Sequence, residues 1–147
     1  MLACASMDER TKEFCGCLYY SASALARAVT RIAAEEFAVT GLSPSHALLL
    51  MSVNKHPGIQ PNELAAAMML EPSTITRLIE KVEALGLVER KQKGKVVHIF
   101  STTEGKRKQR ILKAAWADLD KRYAAVLGKK SSDQLTASIY EAAGRLG

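Results

Sequence analysis

Apolar residues recur at steps of three and four from Phe14 through Leu18, Ala22, Leu25, Val29, Ile32 and Ala33. That spacing predicts one long amphipathic helix over roughly Glu9 to Val39. Thr40-Gly41-Leu42-Ser43-Pro44 ends it, with Gly41 suited to the residue after the last turn and Ser43-Pro44 suited to capping the next helix. The second helix runs through Ala47, Leu48, Leu50 and Met51 to the breaker His56-Pro57-Gly58. A short helix through Leu64, Ala65 and Met68 follows the start signal Gln60-Pro61-Asn62-Glu63, and another opens at Glu71-Pro72-Ser73-Thr74. The latter carries Ile75, Leu78, Ile79, Val82 and Leu85 on one face, and Gly86 closes it.

The period then changes. Leu87, Val88, Val96, Val97, Ile99 and Phe100 are strand formers separated by Gly94 and lysines, which predicts a β-hairpin with a basic tip. Helix returns from Glu104, with a stripe of Ile111, Leu112, Ala115, Trp116, Leu119, Tyr123 and Val126 broken at Gly128. Ser131 or Ser132 is the expected cap of a last helix holding Leu135, Ile139, Ala142 and Leu146. The fold class expected is mainly α with a small β-hairpin: a winged helix-turn-helix over 41–104, flanked by a dimerisation helix over 1–40 and C-terminal dimerisation helices over 105–147. The two apolar-striped ends, Phe14 to Phe37 and Ile111 to Leu146, carry more apolar surface than a small winged helix can cover, which points to a homodimer.

Charge sharpens this outline. Residues 1–60 hold 5 basic and 5 acidic side chains, residues 61–113 hold 11 and 6, and residues 114–147 hold 5 and 4. Nearly all of the +6 net charge therefore sits in the middle third, as expected for a chain that meets an anionic polymer. Two short helices joined by a tight turn, the second entered by hydroxyl residues and an arginine, describe a DNA-reading helix-turn-helix. Ser73, Arg77, Glu80 and Ala84 lie opposite the apolar stripe, with Thr74, Thr76 and Lys81 on the flanks. Arg77 has the fork that suits guanine, while Ser73, Thr74 and Thr76 can donate to phosphates or touch bases. Arg90, Lys91, Lys93 and Lys95 place four cations in six residues of the hairpin, beside that helix, where they can sit on phosphates or enter the minor groove.

Several stretches resemble the MarR-type winged-helix regulators. They are Arg27-Ala28-Val29-Thr30-Arg31, Gly41-Leu42-Ser43 and Asn62-Glu63-Leu64-Ala65-Ala66-Ala67-Met68. The strongest are Pro72-Ser73-Thr74-Ile75-Thr76-Arg77-Leu78-Ile79 and Glu83-Ala84-Leu85-Gly86-Leu87-Val88-Glu89-Arg90, followed by Thr103-Glu104-Gly105. The resemblance implies a triangular dimer with intertwined first and last helices, bound to a pseudo-palindromic operator in duplex DNA. It further implies a repressor released by a small phenolic or aromatic effector, or by thiol oxidation. Two departures stand out. Lys91-Gln92-Lys93-Gly94-Lys95 lacks the aspartate and arginine usual at such wing tips, so lysine, a point charge, must substitute. Met69 stands where the family's turn often has glycine, so ordinary backbone angles are expected there.

Other chemistry has few residues to stand on. Cys4, Cys15 and Cys17 are too few for a disulfide framework, consistent with a reducing compartment. On a continuous helix Cys15 and Cys17 would point about 160° apart, unable to chelate one ion or bond each other. Buried, inert thiols are expected, with a redox sensor at Cys15 or Cys17 as the alternative. His46, His56 and His98 lie in three elements without ligand spacing. No triad, paired-carboxylate or phosphate-loop motif appears, so neither an enzyme nor a cofactor is expected. Trp116, Tyr123 and Tyr140 could line a ligand pocket, but at helical spacing they read first as core or dimer contacts. Met1 to Met7 lacks the basic and apolar segments of a signal peptide and no apolar run spans a bilayer, which makes the cytoplasm the default. A winged-helix protein-interaction module that does not read DNA is the remaining alternative.

Overall fold

The computed structural model describes residues 8–147, so the Met1–Met7 stretch and Cys4 lie outside it. Its elements follow as α1 (Glu9–Lys12), α2 (Leu18–Phe37), a 3-10 turn (Ala38–Thr40), α3 (Pro44–Lys55), α4 (Pro61–Met68) and α5 (Pro72–Ala84). Then come β1 (Val88–Lys93), β2 (Val96–Ser101), α6 (Thr103–Arg107), α7 (Gln109–Leu127) and α8 (Lys129–Leu146). The chain forms two compact units, divided between Glu35 and Glu36.

In the first unit the expected single helix is interrupted. Residues 13–16 form a turn closed by Cys15 N–H to Lys12 O at 3.3 Å and Cys17 N–H to Phe14 O at 2.9 Å. Glycine in Cys15-Gly16-Cys17 weakens helix by about 1 kcal/mol relative to alanine, which makes this the place to break. The Ser21 hydroxyl donates to the Cys15 carbonyl (3.2 Å), and the Phe14 and Tyr20 rings meet at 5.4 Å. Side chains six apart on a straight helix would not face one another.

The second unit is built around α3, whose Ala47, Leu49, Leu50 and Val53 are fully buried. Ser43 caps it and Pro44 opens it as expected, after Gly41 turns the chain with φ 73°. Leu48 and Met51, expected on the buried face, are only partly covered. Against α3 pack Ile75, Ile79 and Val82 of α5, Val88 and Ile99 of the hairpin, and Leu112 and Ala115 of α7, in one continuous core. Gln60 and Glu63 form a reciprocal cap on α4, with the Gln60 N–H donating to Glu63 Oε2 at 2.8 Å.

Three details depart from expectation. Met69 is left-handed (φ 52°, ψ 45°) rather than ordinary. Leu70 N–H bonds Ala65 O at 3.0 Å and Met69 N–H bonds Ala66 O at 3.2 Å, a closure that requires the intervening residue to be left-handed whatever its side chain. The C-terminal helix starts in two pieces, α6 and α7, and the partly buried Lys108 between them donates from Nζ to Thr40 O at 2.8 Å. Finally, α8 is capped by Gly128 (φ 84°) and not by Ser131 or Ser132, and Ser132 is buried with its N–H on Gly128 O.

The hairpin pairs antiparallel from Val88↔Ser101 to Lys93↔Val96, leaving a two-residue turn, Gly94-Lys95. Gly94 supplies the positive φ (63°) that such a turn needs at its first position. The hairpin is tied on several sides. Ile59 bridges Ile99 on the outer edge of β2. Thr102 donates its N–H to Leu87 O and its hydroxyl to Gly86 O at 2.6 Å, while capping α6. A Cβ on Gly105 would overlap the Leu87 carbonyl oxygen, so α6 lies against the chain entering β1 only because that residue is glycine. Asn54 of α3 donates to Gly105 O (3.2 Å) and Gln109 Oε1 (2.7 Å) and accepts from Ser101 Oγ (2.5 Å). Among the described residues no helix is long and apolar enough to cross a membrane.

Candidate nucleic-acid interface

The buried stripe of α5 determines what its other side presents. With Ile75, Ile79 and Val82 in the core, Ser73, Thr74, Thr76, Arg77, Glu80 and Lys81 are all exposed. Ser73 and Thr74 occupy the first turn after Pro72, where the helix dipole favours anions, although the Thr74 N–H already donates to Glu71 O at 3.0 Å. The Thr76 hydroxyl donates to Pro72 O at 3.0 Å, so in this state it offers an acceptor and a methyl group rather than a free donor. Neither Arg77 nor Lys81 forms an ion pair with a described residue.

The wing stands directly after α5, but its four cations are not equivalent. Arg90 is engaged by Glu83 at the end of α5, with Nη2 at 2.5 Å and Nε at 2.9 Å from Oε2. These hydrogen bonds hold the Glu83 carboxyl below, and the Arg90 guanidinium above, their ordinary pKa values. Lys91 pairs with Glu89 at 3.1 Å and lies 5.1 Å from the centre of the Phe100 ring. Lys93 and Lys95, at the turn, are exposed and have no ion pair among the described residues. The structure thus brings the exposed Ser73–Lys81 face of α5 and the wing-tip lysines onto adjacent elements while engaging half of the expected tip charge within the chain.

Of the remaining sequence candidates, Cys15 and Cys17 behave otherwise than expected. They lie in and after the turn rather than on a helix, Cys15 is disulfide-bonded, and Cys17 is a free, exposed thiol. Neither is therefore the buried, inert thiol that an uninterrupted helix implied. Among the described residues no three His, Cys, Asp or Glu side chains gather as a metal site.

A feature that periodicity did not reveal is a cleft of about 1130 Å³ in the second unit. Leu48, Met51, Met68, Trp116 and Tyr140 give it an apolar lining, so two of the three aromatics singled out in the sequence do face a cavity. Lys55, Lys106 and Lys113 border it, and no carboxylate among the described residues does. The clue lay in the half-buried positions: Leu48 and Met51 belong to the apolar pattern of α3 yet sit off its buried face.

The fold and this surface define a winged helix-turn-helix protein. Residues 40–95 match the model of the MarR family. The chain is similar to the uncharacterized HTH-type transcriptional regulator YybA of Bacillus subtilis, 29% identical over 92 residues. That match covers 60% of this chain and only 61% of the relative's length. Among solved structures it resembles CouR of Rhodococcus jostii RHA1 bound to p-coumaroyl-CoA, with TM-score 0.72, 24% identity and coverage of 86% of this chain and 91% of that one. It also resembles the MepR–DNA complex of S. aureus, with TM-score 0.75, 16% identity and coverage of 88% and 98%.

Proposed function

We propose that the chain is a transcription regulator that binds duplex DNA as a homodimer and acts in the cytoplasm as a repressor released by a small effector. The observation that carries this reading is the exposed Ser73–Arg77 face of α5, set opposite its buried stripe and next to a wing whose tip lysines form no ion pair among the described residues. Arg77 serves as the base-edge reader, Ser73, Thr74 and Thr76 as contacts of the helix start, and Lys81, Lys93 and Lys95 as phosphate contacts. A two-fold dimer would present two such surfaces to half-sites about one helical turn apart, hence a pseudo-palindromic operator. Dimerisation is supported by apolar side chains left exposed in each unit: Phe14, Leu18 and Tyr19 in the first, Val126, Leu135, Ile139 and Leu146 in the second.

The cleft supports the effector half of the reading. An apolar, aromatic-walled space bordered by three lysines suits a small aromatic or acyl anion. MepR in complex with DNA and CouR, a repressor bound to p-coumaroyl-CoA, share this fold. The test combines sedimentation with DNA titration. A dimer at micromolar concentration is expected, whose affinity for random duplex falls steeply as salt rises. A stable monomer, or a flat salt response, would remove the reading and favour a winged helix that serves protein contacts.

A further inference from the structure

Strand parity turns Arg90 away from the outer face of the wing. Successive side chains of a strand alternate between its faces, and Val88, two residues before Arg90, is buried in the core. Across the hairpin, Val88 and Arg90 stand opposite Ser101 and Ile99, which are buried as well. Arg90 therefore leaves β1 on the body side, while Lys91 and Lys93 leave it on the other. What it meets there is the last turn of α5. Glu83 accepts the Arg90 backbone N–H at Oε1 (3.2 Å), and Nε and Nη2 at Oε2 (2.9 and 2.5 Å). Glu80, one turn earlier on α5, adds a second negative charge to the same neighbourhood.

We propose that Glu83 and Arg90 form a positioning pair that sets the angle of the wing against the recognition helix, and that Arg90 is not itself a DNA contact. The proposal rests on the DNA-binding reading above for its functional consequence. A two-stranded ribbon is marginal by itself in water; Thr102 and Gly105 tie this one at its root, and Gly58 and Ile59 tie the outer edge of β2 through Ile99 and His98, which leaves β1 to be held from the side of α5. The pair acts on the other strand, at the third residue of β1 and level with Ile99, where a small rotation of the ribbon becomes a large displacement of Lys93 and Lys95. An exposed ion pair contributes little to overall stability; an arginine whose Nε and Nη2 meet one carboxylate oxygen while its backbone N–H meets the other contributes direction. Aiming and contact are thus divided: Arg90, neutralised by Glu83, aims the wing, and the two lysines at its turn, which pair with no described residue, touch the phosphates.

The test is a double-mutant cycle on the full chain with E83A, R90A and the combined variant, plus the exchanged pair E83R/R90E. Without DNA, amide hydrogen exchange across residues 88–101 should quicken about tenfold in either single variant and no further in the double, with α7 unchanged. On random duplex DNA the two single variants should weaken binding equally, by about tenfold, with the salt slope of the parent, and the exchanged pair should recover most of the affinity. If R90A alone weakens binding and lowers the slope by about one unit, Arg90 is a phosphate contact and the proposal is overturned. Unchanged exchange in both single variants would overturn it as well. Should the parent bind no duplex at all, the DNA reading fails while the exchange arm still decides whether the pair holds the wing.

Discussion

Met69 and His46 each occupy a position whose cost is visible in a single side chain. Met69 holds φ 52° with a Cβ, a conformation that costs a non-glycine residue roughly 1–2 kcal/mol. Met69→Gly should therefore stabilise the protein by about 0.5–1 kcal/mol, once the greater freedom of glycine in the unfolded chain is subtracted. A raised urea midpoint with unchanged slope would show it, and a lowered midpoint would mean the side chain contributes more than its strain costs. His46 has Nδ1 2.5 Å from Ser43 Oγ, and burial, followed by the charge of Lys81, depresses its pKa. The unfolded chain therefore takes up the proton first as pH falls through about 6.5, so stability is full above that value and declines below it until the folded ring also protonates. The midpoint should fall between roughly pH 7.5 and 5.5, and His46→Gln should flatten the dependence.

At the scale of elements, the junction of wing and α6 leaves no room for a side chain. Gly105 sits where any Cβ would overlap Leu87 O, a backbone atom that cannot swing aside. Gly105→Ala should destabilise by about 1–3 kcal/mol, as overpacking does elsewhere, and loosen the wing with it. A melting temperature within error of the parent would show that α6 can slide away at little cost. The same joint accounts for what was legible at this scale. Caps and breakers announced α3, α4, α5 and the hairpin, because Ser43, Pro44, Pro61, Pro72 and Gly94 act through local backbone geometry. The α1–α2 break and the early start of α8 were not legible. Gly16 and Gly128 permit more than one conformation, and contacts such as Phe14 with Tyr20 and the burial of Ser132 select among them.

For the whole molecule, the division of labour between helix and wing is the point to test. On the proposed reading, in which Arg77 meets a base edge, Arg77→Ala should cost roughly 1–3 kcal/mol per half-site and blur sequence preference. Lys93→Ala should weaken operator and scrambled DNA by similar factors and lower the salt slope by about one unit for each phosphate left without its lysine. Neither should shift the melting curve, because both side chains project into solvent from elements whose cores they do not enter. If Lys93→Ala altered sequence preference more than Arg77→Ala, the assignment of reading to α5 and anchoring to the wing would have to be reversed.

The order of elements, the facing of α5 and the basic middle third were decided by the sequence itself. Periodicity, caps and charge act within a few residues, and each carries its own signature along the chain. Which cations are free was decided by the tertiary structure. Arg90 and Lys91 stand in the same run as Lys93 and Lys95, yet Glu83 reaches Arg90 only because α5 ends where β1 begins its climb, and Glu89 and Phe100 engage Lys91 only once the hairpin has closed. The cleft likewise needs α3, the end of α4, α6, α7 and α8 together before Trp116, Tyr140 and three lysines border one space. A charge or an aromatic ring is local, but its partner is chosen by packing between segments far apart in the chain.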